Sequence, residues 1–255
     1  MAPGRSKRPG SGWPLVDPPT EAELESCPFC AGREDRTPPE TLTIGDPWRI
    51  RVVPNLYPAF EWQEVVVHSP EHVRTIADLD DDQLALVAEA WRTRREQEPA
   101  GYLHALVNEG KAAGGSLAHS HSQLVWLARK PPAVEKEQPF ALDGEPVLER
   151  DGVAAVLPRA GRVPYEGLVA PVDPEPEAWT SERLATALQL LAELTRRIHA
   201  VAGGPVPLNA WLHTGKGWHI EVFPRLTVLA GIELGAEVYV NTVAPEEAAE
   251  QLRAI

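Results

Sequence analysis

The apolar positions of the first third of the chain follow strand spacing before they switch to helical spacing. Residues 48–53 alternate apolar with basic side chains, residues 64–68 are rich in β-branched side chains, and Pro54-Asn55-Leu56-Tyr57-Pro58 lies between them. This order predicts a β-hairpin. Leu84, Val87, Ala88 and Trp91 then fall at i, i+3, i+4 and i+7, which predicts a helix with one apolar stripe, capped by Asp78 or Asp80. Strands are predicted over 102–107 and 123–127, on either side of a glycine-rich segment at 108–116.

The same order of elements recurs in the second half: strands at 153–157 and 167–170, a proline-bounded turn between them, and a helix striped by Leu184, Leu188, Leu191, Leu194 and Ile198. Part of the recurrence is literal. Arg92-Thr93-Arg94-Arg95 is echoed by Leu194-Thr195-Arg196-Arg197, and Asn108-Glu109-Gly110-Lys111 by His213-Thr214-Gly215-Lys216. His119-Ser120-His121-Ser122-Gln123 has Trp218-His219-Ile220-Glu221-Val222 at the equivalent place, so one half keeps two histidines and the other keeps one. The pattern predicts an α+β fold of antiparallel sheets with packed helices, made from a duplicated unit whose second copy is degenerate. The expected organisation is an irregular N-terminal arm over 1–26, a catalytic unit over 27–130, a proline-bearing linker over 131–149 and the degenerate unit over 150–255.

A chain of 255 residues with 43% hydrophobic and 24% charged residues is an ordinary soluble globular sequence. Its formal net charge of −13 argues against nucleic acid as a partner, because that affinity depends on many Lys and Arg releasing counterions. A small anionic ligand needs only a local pocket of donors. No apolar run reaches the roughly 18 residues of a membrane helix. Residues 1–9 lack an apolar signal core, so the reading is cytoplasmic, with no membrane partner. In a reducing compartment Cys27 and Cys30, the only cysteines, point to metal or redox chemistry over a disulfide. No thioredoxin-like helix start follows Cys30, which favours the metal.

In an extended segment His119, His121 and Gln123 share one side. Such a row suits phosphoryl chemistry, with one imidazole attacking phosphorus, a neighbour fixing the geometry and an amide donating to phosphate oxygens. A bare His-x-His is more often a solvated strand face. The preceding Gly110, Lys111, Gly114, Gly115 and Ser116 change that balance, since a glycine-rich loop lets backbone approach an anion closely. Two thiolates across Pro28-Phe29 have the spacing of a zinc knuckle, and tetrahedral zinc needs two more ligands. His68, His72, His104, His119 and the second-half histidines are all candidates.

Along nearly the whole chain the sequence resembles the galactose-1-phosphate uridylyltransferase family of the histidine-triad superfamily. The matching segments are Ala2-Pro3-Gly4-Arg5-Ser6-Lys7-Arg8-Pro9, Cys27-Pro28-Phe29-Cys30-Ala31-Gly32, Thr37-Pro38-Pro39-Glu40, Val53-Pro54-Asn55-Leu56-Tyr57-Pro58-Ala59, Ser69-Pro70-Glu71-His72, residues 108–116 and residues 119–123. The resemblance implies tandem histidine-triad-like domains and a ping-pong reaction through a nucleotidyl-histidine. It implies His121 as nucleophile, Gln123 as phosphate-oxygen donor, and Cys27, Cys30, His72 and His119 as zinc ligands. Asn55 would contact the nucleotide, Asn108, Gly114, Gly115 and Ser116 would line the phosphate and hexose pocket, and Glu233 would accept from sugar hydroxyls. The implied partners are a nucleoside-diphosphate sugar, a sugar phosphate and a second copy of the chain. His219 matches a second metal position of some relatives, but Glu221 stands where a further histidine would be, so no second metal is expected.

Three departures qualify the resemblance. Ser120 replaces the usual proline between the histidines, which is expected to loosen the turn. The chain also begins where relatives already have a strand carrying arginines near the nucleotide, so that part of the site is expected to be missing or the start misassigned. Finally, Asn55-Leu56-Tyr57-Pro58 and Gly231-Ile232-Glu233-Leu234-Gly235 resemble the ADP-glucose phosphorylase branch more closely. The expected activity is therefore transfer of a nucleoside monophosphate between a nucleoside-diphosphate hexose and a hexose 1-phosphate. The alternatives are an ADP-sugar or dinucleoside-polyphosphate phosphorylase and a non-catalytic zinc-stabilised nucleotide-binding module.

Overall fold

Ten strands form one sheet, in the order β1-β2-β3-β5-β4-β9-β10-β8-β7-β6, in a computed structural model that describes residues 1–4, 12–135 and 140–255. Residues 5–11, within the N-terminal arm and its matching segment, and 136–139, within the linker, lie outside the described residues. The strands are β1 (Leu42–Ile44), β2 (Ile50–Pro54), β3 (Trp62–Val67), β4 (Tyr102–Glu109), β5 (His121–Leu127), β6 (Gly144–Arg150), β7 (Val153–Pro158), β8 (Gly167–Pro171), β9 (Leu208–Gly215) and β10 (Gly217–Pro224). The helices are α1 (Glu21–Ser26), α2 (Asp81–Gln97), α3 (Pro132–Glu135), α4 (Leu184–Ala202), α5 (Gly231–Ala236) and α6 (Pro245–Arg253).

The expected α+β class with antiparallel pairing is what the chain adopts. β2 and β3 form the predicted hairpin, in the register Val52↔Val66, and β4 and β5 flank the glycine-rich segment. α2 starts at Asp80, whose carboxylate accepts the amide of Gln83 at 2.7 Å. Acidic Asp81 and Asp82 in its first turn and basic Arg94 and Arg95 in its last complement the helix dipole. α4 ends at Gly203, in the left-handed region at φ 81°, where its amide closes on the carbonyls of Ala200 and His199. Within the stretch read as a linker, the chain forms α3 and begins the edge strand β6.

Strand alternation sorts side chains between two faces. Leu103, Ala105 and Val107 of β4 and Leu124 of β5 point to the face covered by α2 and α4, where they share one buried core with Leu84, Val87, Trp91, Leu188 and Leu191. His104, Leu106 and Asn108 of β4 and His121 and Gln123 of β5 therefore point to the opposite face. The two five-strand halves meet where β4 pairs β9, in the register Leu106↔Trp211 and Asn108↔Asn209. The repeat is thus fused into one sheet, and the second half supplies the strand beside the glycine loop.

A charged pair sits inside the first half. Arg94 of α2 donates from Nε and Nη2 to both oxygens of Glu64 on β3, each at 2.8 Å, and both residues are buried. Removing one member leaves an uncompensated buried charge. Arg94→Ala is therefore expected to lower unfolding free energy by about 3–5 kcal/mol, measured by urea denaturation. The double variant Glu64→Leu/Arg94→Met should recover most of that loss.

Candidate active site

α1 brings the first thiol into place. Thr20 caps it by accepting the Glu23 amide at 3.1 Å, and Cys27 ends it with its amide on the Glu23 carbonyl at 3.0 Å. The knuckle folds back onto residues 69–72, and the Ala31 amide donates to Pro70 O at 3.0 Å. The four ligand atoms of Cys27, Cys30, His72 and His119 then lie within 4.8 Å of one another. His119 Nδ1 is 3.4 Å from Cys27 Sγ and 3.7 Å from Cys30 Sγ, and His72 Nδ1 is 3.3 Å from Cys30 Sγ. Bonds of about 2.3 Å to sulfur and about 2.0–2.1 Å to nitrogen on a tetrahedral ion imply a sulfur-to-nitrogen edge of about 3.6 Å, so the spacing fits a metal.

The orienting groups fit as well. His119 Nε2 donates to the Ser69 carbonyl at 2.9 Å, which leaves Nδ1 unprotonated toward the sulfurs. His72 Nε2 donates to Glu23 Oε1 at 3.0 Å and likewise turns Nδ1 inward. Glu23 is itself held by Arg74 at 2.9 Å. Burial, then the neighbouring Cys27, pushes the Cys30 thiol up to about 11. A cation among the sulfurs reverses that preference by binding the thiolates. The cluster has the donor set, spacing and orientation that a tetrahedral metal ion requires.

His121 opens β5 two residues on. Its Nδ1 donates to the His119 carbonyl at 2.7 Å. A carbonyl only accepts, so the proton sits on Nδ1 and Nε2 keeps its lone pair. The Phe29 ring meets the imidazole edge-on at 5.5 Å, so the knuckle also packs against it. Burial lowers the pKa of His121, partly offset by the His119 carbonyl, so the ring is neutral at pH 7. Gln123 follows on the same face. Its Oε1 accepts from Gln63 Nε2 at 2.5 Å, which leaves the Gln123 amide nitrogen free to donate.

The glycine loop turns immediately before this row. Gly114 is left-handed at φ 83°. Gly115 lies so close to its own loop that a Cβ there would meet Asn108 O at 2.8 Å and Gly110 N at 3.1 Å. Asn108 faces Asn209, whose Nδ2 donates to Asn108 Oδ1 at 2.7 Å and to Ala113 O at 2.8 Å, tying the loop to the second half. Ser116 is exposed on the loop. A cavity of about 590 Å³ opens beside it, lined among others by Gly115, Ser116, Lys111, Arg74, His72 and Glu109. Glu109 is buried, its Oε1 accepting the Ile76 amide at 2.5 Å, and burial pushes its pKa up to about 8.

Other expected residues take different places. His119 lies just before the strand and turns to the cysteines, so the polar row on the strand itself is His121 and Gln123. Asn55 caps the β2–β3 turn, its Oδ1 accepting the Tyr57 amide at 2.9 Å. Glu233 lies in α5 of the second half, with Oε2 on the Ala230 amide at 2.9 Å. Among the other zinc candidates, His68 is buried behind β5 between two serine hydroxyls, and His104 shares the open face with Tyr102. His213, His219 and Glu221 form a second close group. There Glu221 accepts from His213 Nε2 at 2.6 Å and from the Arg162 guanidinium. Burial opposes ionisation of Glu221, but these bonds outweigh it and lower the pKa to about 2. His213 and Arg162 thus bind the two oxygens of Glu221. Sequence reasoning missed Glu23, Gln63 and Asn209. Only Gln63 left a trace, as a polar residue in phase with Val65 and Val67 on β3.

Residues 62–131 match the model for the galactose-1-phosphate uridyl transferase N-terminal domain. The whole chain is 26% identical to an ADP-glucose phosphorylase of Arabidopsis thaliana, covering 89% of that protein. It is 23% identical to a galactose-1-phosphate uridylyltransferase of Thermotoga maritima over 92% of this chain and 91% of that one. The crystal structure of an Arabidopsis thaliana ADP-glucose phosphorylase with bound ADP-glucose superposes with a TM-score of 0.85 at 26% identity, covering 100% of this chain and 94% of that one. The chain is similar to the galactose-1-phosphate uridylyltransferase family in sequence and in fold. The residues matched by the family model contain β3, β4, β5 and the glycine loop. No helix among the described residues is long and apolar enough to cross a membrane.

The metal cluster predicts one divalent ion per chain, lost in Cys27→Ser, as read by elemental analysis of the purified protein. Glu23→Ala should retain the ligands but weaken metal affinity by about 10–100-fold, the usual cost of losing a group that orients a ligand, measured by competition with a chromophoric chelator.

Proposed function

We propose that the protein transfers a nucleoside monophosphate from a nucleoside-diphosphate hexose to a phosphate-bearing acceptor through a covalent bond to His121. The observation that carries this reading is the tautomer of His121. Nδ1–H is tied to a carbonyl, and Nε2 is an unprotonated nucleophile on the face that also carries the Gln123 amide. Nε2 attacks the α-phosphorus, the bond from that phosphorus to the bridging oxygen breaks, and the hexose phosphate leaves as an anion. A phosphate oxygen of the acceptor then attacks the same phosphorus and releases the imidazole. Gln123, Ser116 and the loop amides meet the negative charge that develops on the phosphoryl oxygens. Asn55 contacts the nucleotide, Asn108, Gly114 and Gly115 shape the phosphate and hexose pocket, and Glu233 accepts from sugar hydroxyls.

Zinc suits the Cys27, Cys30, His72 and His119 donor set. With four protein ligands it keeps no open position, so it supplies structure: it fixes the knuckle and, through His119, the carbonyl that holds His121. The acceptor in the first reading is a hexose 1-phosphate. A second reading, an ADP-sugar donor with inorganic phosphate as acceptor, is supported by whole-chain similarity to the Arabidopsis thaliana ADP-glucose phosphorylase. The protein works in the cytoplasm as a homodimer. Leu56, Tyr57 and Phe60 beside the Asn55 turn, and Ile232 and Leu234 on α5, are the exposed apolar side chains a second copy would cover.

Intact-mass spectrometry after mixing with UDP-glucose or ADP-glucose should show one added UMP or AMP in the wild type and none in His121→Ala, with turnover reduced about 10³-fold or more. Absence of the adduct in the wild type leaves only the nucleotide-binding module. Discharge of the adduct by inorganic phosphate, and not by hexose 1-phosphate, selects the phosphorylase. Because burial lowers the pKa of His121, the nucleophile stays neutral as pH falls through the ordinary imidazole value of about 6.5. The rate of adduct formation should therefore stay level from pH 8 to 6.5 and decline only under more acid conditions.

A further inference from the structure

A chain of hydrogen bonds runs behind the strand that carries His121. Trp91 Nε1 donates to Ser122 Oγ at 2.8 Å, His68 Nε2 lies 3.0 Å from the same oxygen, and His68 Nδ1 lies 3.0 Å from Ser120 Oγ. His68 and Ser122 are fully buried, and Ser120 nearly so. An indole N–H can only donate. Among the described residues Ser122 Oγ bonds only to Trp91 and His68, so the arrangement that leaves no buried hydroxyl proton unpaired gives that proton to His68 Nε2. His68 must then carry its proton on Nδ1 and donate to Ser120 Oγ. The Ser120 hydroxyl is left to donate onward, toward the buried carboxyl of Glu109 with which it interacts. One donor-only group thus sets the direction of the whole chain.

The backbone adds to the clamp. His68 N donates to Ser120 O at 3.2 Å, Ser120 N donates to Val73 O at 2.7 Å, and Gln83 of α2 donates to His68 O at 2.6 Å. This matters because His121 is the first residue of β5. It pairs with Val67 of β3, whereas the pairing with β4 begins only at Ser122↔Val107. The nucleophile therefore stands where the ladder on one side has run out, and its two neighbours are held from behind through their side chains.

We propose that His68 is a positioning residue for His121: wedged between Ser120 and Ser122, it fixes the peptide groups on both sides of the nucleophile and so aims Nε2 at phosphorus. The inference rests on the nucleotidyl-histidine reading above. A small displacement of a reacting atom is enough to cost a large factor in rate, about 10²-fold for about 1 Å. The phenyl ring of His68→Phe fills much of the same space without either hydrogen bond. The amide of His68→Gln accepts at one end and donates at the other, which preserves the direction of the chain. Trp91→Phe keeps an aromatic ring in the core and removes only the donor that sets the direction.

The test is single-turnover adduct formation, followed by intact mass over a range of nucleotide-sugar concentrations, with metal content and melting temperature recorded for each variant. His68→Phe should lower the maximal rate by about 10–100-fold, leave the half-saturating concentration within a factor of about three, and retain its metal. His68→Gln should recover most of that rate, and Trp91→Phe should lose several-fold. An unchanged maximal rate in His68→Phe, or equal losses in His68→Phe and His68→Gln, overturns the positioning role while leaving the proposed reaction intact. If His68→Phe fails to fold, Trp91→Phe decides: a slowed adduct supports the role and an unchanged rate overturns it. A wild type that forms no adduct overturns the reaction itself and this role with it. Independently, long-range 15N correlation spectra should show His68 protonated on Nδ1, and protonation on Nε2 overturns the directed chain.

Discussion

Two peptide carbonyls, those of Ser69 and His119, decide what the neighbouring imidazoles do. A carbonyl oxygen can only accept, so each one pins a proton to the ring nitrogen that faces it. Ser69 takes the proton of His119 on Nε2, and Nδ1 is turned to the thiols. His119 takes the proton of His121 on Nδ1, and Nε2 is left bare. Two histidines two residues apart thereby acquire opposite tautomers, one presenting a bare Nδ1 to the thiols and the other a bare Nε2. The link is physical as well as spatial, since the carbonyl that sets the second tautomer belongs to the residue that the metal cluster holds.

The second half carries one histidine where the first carries two, and its strands continue the same sheet. Its strand β9 lies beside β4, and Asn209 spans the seam to bind both Asn108 and the carbonyl of Ala113 in the loop. In the second half Arg162 bonds both Glu166 and Glu221, and Glu221 also accepts from His213, whose Nδ1 is buried without a hydrogen-bond partner among the described residues.

Much of this was legible from residue order. Alternation located β2 and β3, the i, i+3, i+4, i+7 stripe located α2, and the Cys-Pro-Phe-Cys knuckle with His-x-His pointed to residues that the fold brings together, with His121 opening β5 beside the Cys27, Cys30, His72 and His119 cluster. Tertiary partners carry no sequence period and were not legible. Glu23 reaches His72 across 49 positions and Asn209 reaches Asn108 across 101. His68 was one imidazole among several until the structure placed it behind β5. Serine in place of proline at residue 120 read as a loss of constraint. In the fold, its amide donates to Val73, its carbonyl accepts from His68 and its hydroxyl meets the His68 ring. A pyrrolidine ring could offer neither the amide nor the hydroxyl.

The β4–β9 seam also bears on what the second half contributes. β4 is paired along its length by β5 on one side and by β9 over its last residues on the other. Without the second half, the end of β4 that leads into the glycine loop would be a bare sheet margin, with backbone donors and acceptors open to any passing strand. The second half is in this sense a built-in selvedge, which keeps the border beside the glycine loop from unravelling or sticking to a stranger.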